Sequence, residues 1–275
     1  MAHLDSLRTE DPCEGETQLI KSFLYHRLTD DRALSRLQPL SVHEEDFRLH
    51  LELLDRWGFT TITFKDYLLF QQKKLHLPRK PIIITLDNGS EETLRVALPL
   101  LQEAGCKAVV FVPADPSSRG NGRGRDDSCG RPLSPANLRQ LSAEGMEIGS
   151  LSLTRQPLTM MPHHVAHNEI TFSKQQLEMI LGVPVVSFAY PFGQVNALVK
   201  RMVEEAGYMF ACGWSTGPGT FGDDLLEIRR FTVRTRVGAV GFGLRLHAPY
   251  DLYEQCIQRT RSALARMNRR PVIQV

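Results

Sequence analysis

The sequence predicts an α/β protein in which parallel strands are joined by helical crossovers around one large core. Three observations carry that expectation. A helix that closes on glycine and passes at once into a short apolar, β-rich run recurs five times, and such alternation specifies parallel strands. The run Pro81-Ile82-Ile83-Ile84-Thr85-Leu86 is β-branched and apolar on both faces, as a strand covered on both sides should be. The 275 residues, 42% hydrophobic and 23% charged, have the composition of an ordinary globular chain, and α/β barrels of about this length form single domains.

The first unit is Leu53-Leu54-Asp55-Arg56-Trp57-Gly58 before Phe59 to Thr63. Leu100 to Gly105 then precedes Ala108 to Val112, and Leu141 to Gly145 precedes Met146 to Ser150. Met179 to Gly182 leads to Val185 to Tyr190, and Val203 to Gly207 leads to Tyr208 to Cys212. Glycine just past a helix end accepts the left-handed conformation that terminates it. Helix starts are expected at Ser41-Val42-His43-Glu44 by its capping-box spacing, at Ser134-Pro135, and at Ser90-Glu91-Glu92, where carboxylates meet the positive end of the dipole. In such folds the loops after the strands build the site, which points to Asp87 to Ser90, Ser150 to Leu158, Tyr190 to Gln194 and Gly213 to Gly219.

Residues 1–18 are poor in apolar side chains and read as a flexible arm; residues 19–275 read as one barrel domain. Within it, 113–132 is rich in Gly, Arg, Ser and Pro and reads as a disordered loop, with a lid as the alternative. A net charge of +2 gives no reason to expect nucleic acid or an anionic membrane as partner. No apolar run approaches the roughly 20 residues of a membrane span. The first residues lack the basic head and apolar stretch of a secretory signal, so the expected location is cytoplasmic. Five scattered cysteines suggest neither a disulfide framework nor a zinc site.

Five segments, in order, resemble the polysaccharide deacetylases with a NodB homology domain. They are Phe23-Leu24-Tyr25-His26-Arg27-Leu28, Ile84-Thr85-Leu86-Asp87-Asn88-Gly89, Glu147 to Arg155, Ser187-Phe188-Ala189-Tyr190-Pro191-Phe192-Gly193 and Ile228-Arg229-Arg230-Phe231. The resemblance covers about residues 20 to 255 and implies a distorted (β/α) barrel of about seven parallel strands. It also implies a chemistry from which this chain departs. In the family motif Thr-Phe-Asp-Asp-Gly the first Asp is the general base and the second binds a divalent metal; here these are Asp87 and Asn88. The two imidazole ligands of the next motif are matched by Leu151 and Arg155.

Leucine has no lone pair to offer and a guanidinium is a permanent cation with donors only, so no metal and no other cofactor is expected. Loss of the ion removes carbonyl polarisation and water activation. A carboxylate at the end of a buried strand needs a partner, and Arg155, at the ligand position, is expected to pair with Asp87. The family's Arg before x-Pro-Tyr/Phe is matched by Ala189, and the backbone N–H of Phe192 matches its oxyanion-hole donor.

Asp87 is thus the candidate catalytic residue, and His26, Asn88, Arg155, Tyr190, Phe192 and Trp214 are the candidate substrate-binding residues. Trp214 would stack on a sugar face or pack as a wall. His163 and His167 share a helix face but have no third ligand, and read as solvated. His247 falls in a segment that reads as helix and is left out of the site. The five arginines between Gln258 and Arg270 read as a solvated helix face. The expected function is that of a metal-free pseudoenzyme with a saccharide-binding cleft, acting with a saccharide or glycolipid and a polysaccharide-assembly protein. The alternative is metal-independent hydrolysis of an amino-sugar amide by Asp87.

Overall fold

The computed structural model describes residues 20–115, 130–213, 221, 224–235 and 237–247. The expected N-terminal arm, most of the 113–132 loop, Trp214 and the arginine-bearing tail lie outside the described residues.

β1 (Lys21–Tyr25) passes through His26 into β2 (Arg27–Thr29), followed by α1 (Arg32–Leu37), β3 (Ser41–His43) and α2 (Glu44–Arg56). β2 and β3 form a separate two-stranded sheet that the apolar periodicity does not announce. Ser41, expected to cap α2, is held in β3 opposite Arg27, and His43 caps the helix instead, its Nδ1 accepting from the Glu45 N–H. Then come β4 (Thr60–Thr61), α3 (Phe64–Gln71) with a Thr63/Asp66 capping box, and β5 (Pro81–Asp87). The helix after Ser90 contains a π-helical stretch, Thr93–Ala97, before it continues as α4 (Leu98–Glu103). β6 (Val109–Val112), α5 (Pro135–Ala143), β7 (Glu147–Ser150) and α6 (His163–Leu181) follow, with Ser134 capping α5 as expected. The order ends with β8 (Ser187–Ala189), α7 (Ala197–Glu205), β9 (Phe210–Cys212), β10 (Phe231–Val233) and α8 (Ala239–His247).

All five predicted helix-glycine-strand units are present. Gly58, Gly105, Gly145, Gly182 and Gly207 have φ between 62° and 85°, and a strand follows each. Seven strands run in the order β10-β1-β5-β6-β7-β8-β9, every pairing parallel. β4 pairs with the first two residues of β5 before β6 takes that edge at Thr85. A parallel bridge between Cys212 and Ile228 ties the end of β9 to the segment entering β10, so the sheet curls toward closure as an incomplete barrel.

Alternate residues of the central strands enter two separate cores. Ile82, Ile84, Val110 and Val112 join the larger cluster, packed with the helices, whereas Ile83, Val109 and Phe111 join Phe64, Phe210 and Leu151 in the smaller one. Both faces are therefore apolar, which is why β5 and β6 read as unbroken hydrophobic runs. Among the described residues no helix is long and apolar enough to cross a membrane.

Candidate functional site

β5 delivers Asp87 to the carboxyl end of the sheet, one register step beyond Leu86, which lies opposite Tyr25 of β1. Parallel strands place their outgoing loops together at this end. Here the loops from β1, β5, β7 and β8 meet in a small cleft of about 60 Å³ lined by His26, Asp87, Asn88, Arg155, Tyr190 and Phe192, with Leu151 and Arg230 beside them. Six of the seven residues predicted from sequence converge there; the seventh, Trp214, lies outside the described residues. A larger groove of about 470 Å³, lined by Thr159, Gln194, Asn196 and Arg229 among others, adjoins it and shares Gly193.

The Asp87 carboxylate is paired, but among the described residues its ion-pair partner is Arg230 rather than Arg155. Arg230 Nη1 donates to Oδ1 at 2.7 Å and Nη2 to Oδ2 at 3.1 Å, a two-pronged bond that fixes the carboxylate plane. Nη1 also donates to Thr85 Oγ1, which donates to the Phe23 carbonyl. The guanidinium lies 5.4 Å from the Phe111 ring centroid. That ring is seated by Gly149, where an added Cβ would fall 2.5 Å from Phe111 Cε1. Burial opposes the charge on Arg230, but the Asp87 carboxylate outweighs it and keeps the guanidinium pKa raised. Cys212, buried close by, has its thiol pushed up to about 12, chiefly by burial.

Arg155 is presented differently. Ser152 and Arg155 have left-handed backbones, φ 61° and 60°, and Ser152 Oγ accepts the Arg155 N–H at 2.9 Å. Glu169 of α6 braces the same turn, accepting from the Thr154 N–H and hydroxyl at 2.8 and 2.6 Å. The Arg155 guanidinium then lies over the Phe192 ring, 5.5 Å from its centroid. The expected pairing fails because the turn sets Arg155 against the aromatic wall, while Arg230, just before β10, reaches Asp87 from two strands away across β1.

Asn88 is buried with φ 74°, and its amide nitrogen lies 3.3 and 3.4 Å from the two ring nitrogens of His26. Phe192 is half exposed with φ 56°. Tyr190 is a buried wall of the cleft whose hydroxyl donates to the Leu226 carbonyl, and burial raises its pKa. Of the five described non-glycine residues at positive φ, four belong to this site, the exception being Lys73. Such conformations cost roughly 1–3 kcal/mol each and persist only where the surroundings enforce them.

The family's metal fits poorly here. Asn88 brings one neutral carbonyl oxygen, Leu151 a buried hydrocarbon and Arg155 a cation, while both oxygens of Asp87 are taken by Arg230. Among the described residues no group of three or more His, Cys, Asp or Glu is placed to hold an ion.

A curled parallel sheet with a carboxylate at this position defines the class, and the sequence profile described as polysaccharide deacetylase matches residues 74–211, just over half the chain. The chain belongs to that family. It is 22% identical over 239 residues to YxkH of Bacillus subtilis (strain 168), a protein provisionally named a polysaccharide deacetylase, the match covering 86% of this chain and 77% of that one. Its fold is similar to that of the Streptococcus pyogenes deacetylase PplD in complex with acetate, with TM-score 0.71, 18% identity, and 83% and 98% of the two chains covered. It is also similar to the de-N-acetylase from Aggregatibacter actinomycetemcomitans, with TM-score 0.72, 15% identity, and 82% and 99% covered.

Arg230 is the site residue that sequence reasoning missed. Its segment was recognised, but Arg229 and Arg230 are adjacent and point to opposite sides of an extended chain, and nothing local says which one finds a carboxylate 143 residues away.

Proposed function

We propose that this chain is a saccharide-binding member of the family in which metal-dependent deacetylation has been lost. It serves as a binding or regulatory partner in cytoplasmic steps of polysaccharide or glycolipid assembly, together with an assembly protein. One observation carries the reading: Asp87 is locked by Arg230 while Asn88, Leu151 and Arg155 hold the positions that would ligate the ion. The four left-handed residues support it, since strain concentrated at a cleft is a mark of a constrained binding site. Cys106 and Cys212 are free thiols, which a reducing compartment permits.

The alternative, hydrolysis of an amino-sugar amide with Asp87 as base, requires the carboxylate to take a proton on a lone pair that Arg230 does not use. The bidentate pair disfavours that step, because it strips a buried guanidinium of its counter-charge.

The test is acetate release from acetylated chito-oligosaccharides, with and without added zinc, alongside saccharide binding by calorimetry. The expected result is binding without acetate release in either condition. Acetate release that Asp87→Asn abolishes would establish the hydrolytic alternative.

A further inference from the structure

We propose that the connection from α3 to β5 docks this protein on an anionic lipid surface, at the end of the barrel opposite the cleft. The whole-chain balance of +2 conceals a local one. Lys73, Lys74, Arg79 and Lys80 fall within eight residues, and no Asp or Glu stands between Asp66 and Asp87. Asp66 is itself occupied, by Lys107 and by its own capping box. Among the described residues none of Lys73, Lys74 and Lys80 enters an ion pair; Lys80 donates to the Trp57 carbonyl at 2.9 Å and lies 5.5 Å from the Phe59 ring centroid. Because β5 begins at Pro81, these cations gather at the amino end of the sheet, whereas Asp87 and the cleft occupy its carboxyl end.

The turn that carries the lysines is built, and apolar side chains stand beside it. Leu69, Phe70 and Leu75 are all exposed. The Lys74 N–H donates to the Leu69 carbonyl and the Lys73 N–H to the Phe70 carbonyl, both at 2.8 Å, so a closed helix end fixes the two lysines directly after the two apolar residues. Such an end needs a left-handed residue. Where five other helices use glycine, this one places Lys73 at φ 58°. Lysines at a helix C-terminus also complement its dipole, which accounts for the charge but leaves three exposed apolar side chains without a purpose. A lipid interface uses both: headgroup phosphates meet the ammonium groups, and the apolar side chains enter the boundary of the acyl region. A duplex nucleic acid would use the cations alone.

Cosedimentation of the full chain with vesicles tests this, using phosphatidylcholine alone, phosphatidylcholine mixed in equal parts with phosphatidylglycerol, and a DNA duplex as the competing polyanion. The mixed vesicles are expected to bind at least tenfold more tightly than the neutral ones, with affinity falling as salt rises. Each cation near an anionic surface contributes about fivefold in affinity, so Lys73→Gln combined with Lys74→Gln should weaken binding at least tenfold. Phe70→Ser combined with Leu75→Ser should weaken it severalfold at every salt concentration. Melting temperatures matching the parent show both variants folded, and their saccharide affinity should be unchanged, so this inference and the saccharide reading can fail separately. The inference falls if no vesicle binds, if neutral vesicles bind as well as mixed ones, or if the glutamine pair binds like the parent. Binding that the serine pair leaves intact, or duplex DNA bound as tightly as the mixed vesicles, would overturn lipid in favour of a general polyanion contact.

Discussion

Two carboxylates sit at opposite ends of the same sheet, Asp87 partly buried and Glu147 fully buried, and they are stabilised in opposite ways. Asp87 closes β5 at the carboxyl end and faces a buried guanidinium through two hydrogen bonds. Glu147 opens β7 at the amino end and has neutral donors instead: the Ser187 hydroxyl at 2.6 Å and the Lys65 N–H at 2.8 Å, near the start of α3. Burial raises the Glu147 pKa despite those bonds, so the fold favours its protonated form. No strained residue adjoins Glu147, whereas Asn88 beside Asp87 has φ 74°. A buried acid alone is therefore no sign of function in this barrel. The sign is a fixed charge pair opening onto a cleft whose backbone is held in costly conformations.

The largest effect should come from breaking the ion pair. Arg230→Met removes the cation and leaves the Asp87 carboxylate, 11% exposed, without it, at a cost of about 3–5 kcal/mol in urea unfolding. Adding Asp87→Leu in the same chain removes the stranded charge and should recover much of the loss. A single-variant cost below about 1 kcal/mol would mean that solvent compensates for the loss of Arg230 at this carboxylate.

At the other end, Glu147→Ala strands the Ser187 hydroxyl and the Lys65 N–H and should cost about 1–3 kcal/mol. The pH dependence sharpens the contrast. Because the folded pKa of Glu147 lies above its ordinary 4.5, the stability it contributes is complete below pH 4.5 and is lost as pH rises through the raised value. Glu147→Gln carries no such titration. Urea midpoints measured from pH 4.5 upward should show the variant gaining on the parent; parallel curves would place the acid in a wetter site than its burial indicates.

A smaller loss, about 1 kcal/mol, is expected from Glu169→Ala, which removes two hydrogen bonds from a turn that water can partly re-satisfy. Faster amide exchange confined to residues 152–155 would locate the effect.

How far each region was legible follows from the range of the interactions that make it. The glycine-terminated helices are decided within a few residues, so all five could be read from sequence, as could the loops that build the cleft. His43 took over the expected Ser41 cap because β3 pairs with β2, a non-local event between two three-residue strands too short to show a period. The carboxylate's need for a cation was legible; the identity of that cation was not, because Arg155 stood at the ligand position while Arg230, 143 residues from Asp87, is brought near it only by the order β10-β1-β5. The partner of the Tyr190 hydroxyl, the Leu226 carbonyl 36 residues away, was equally invisible to local reading.

The smallest stability effect belongs to Phe192, and it separates binding from folding most cleanly. The ring is half exposed and supports little beyond the Arg155 guanidinium, a contact worth about 0.5–1 kcal/mol at an exposed position. Phe192→Ala should therefore leave the unfolding free energy within about 1 kcal/mol of the parent. Saccharide affinity should nevertheless drop severalfold, since the variant removes both the aromatic wall and the surface that aims Arg155. Equal losses in folding and binding would make Phe192 a packing residue. Unchanged binding would move the ligand out of the cleft and into the groove beyond Gly193.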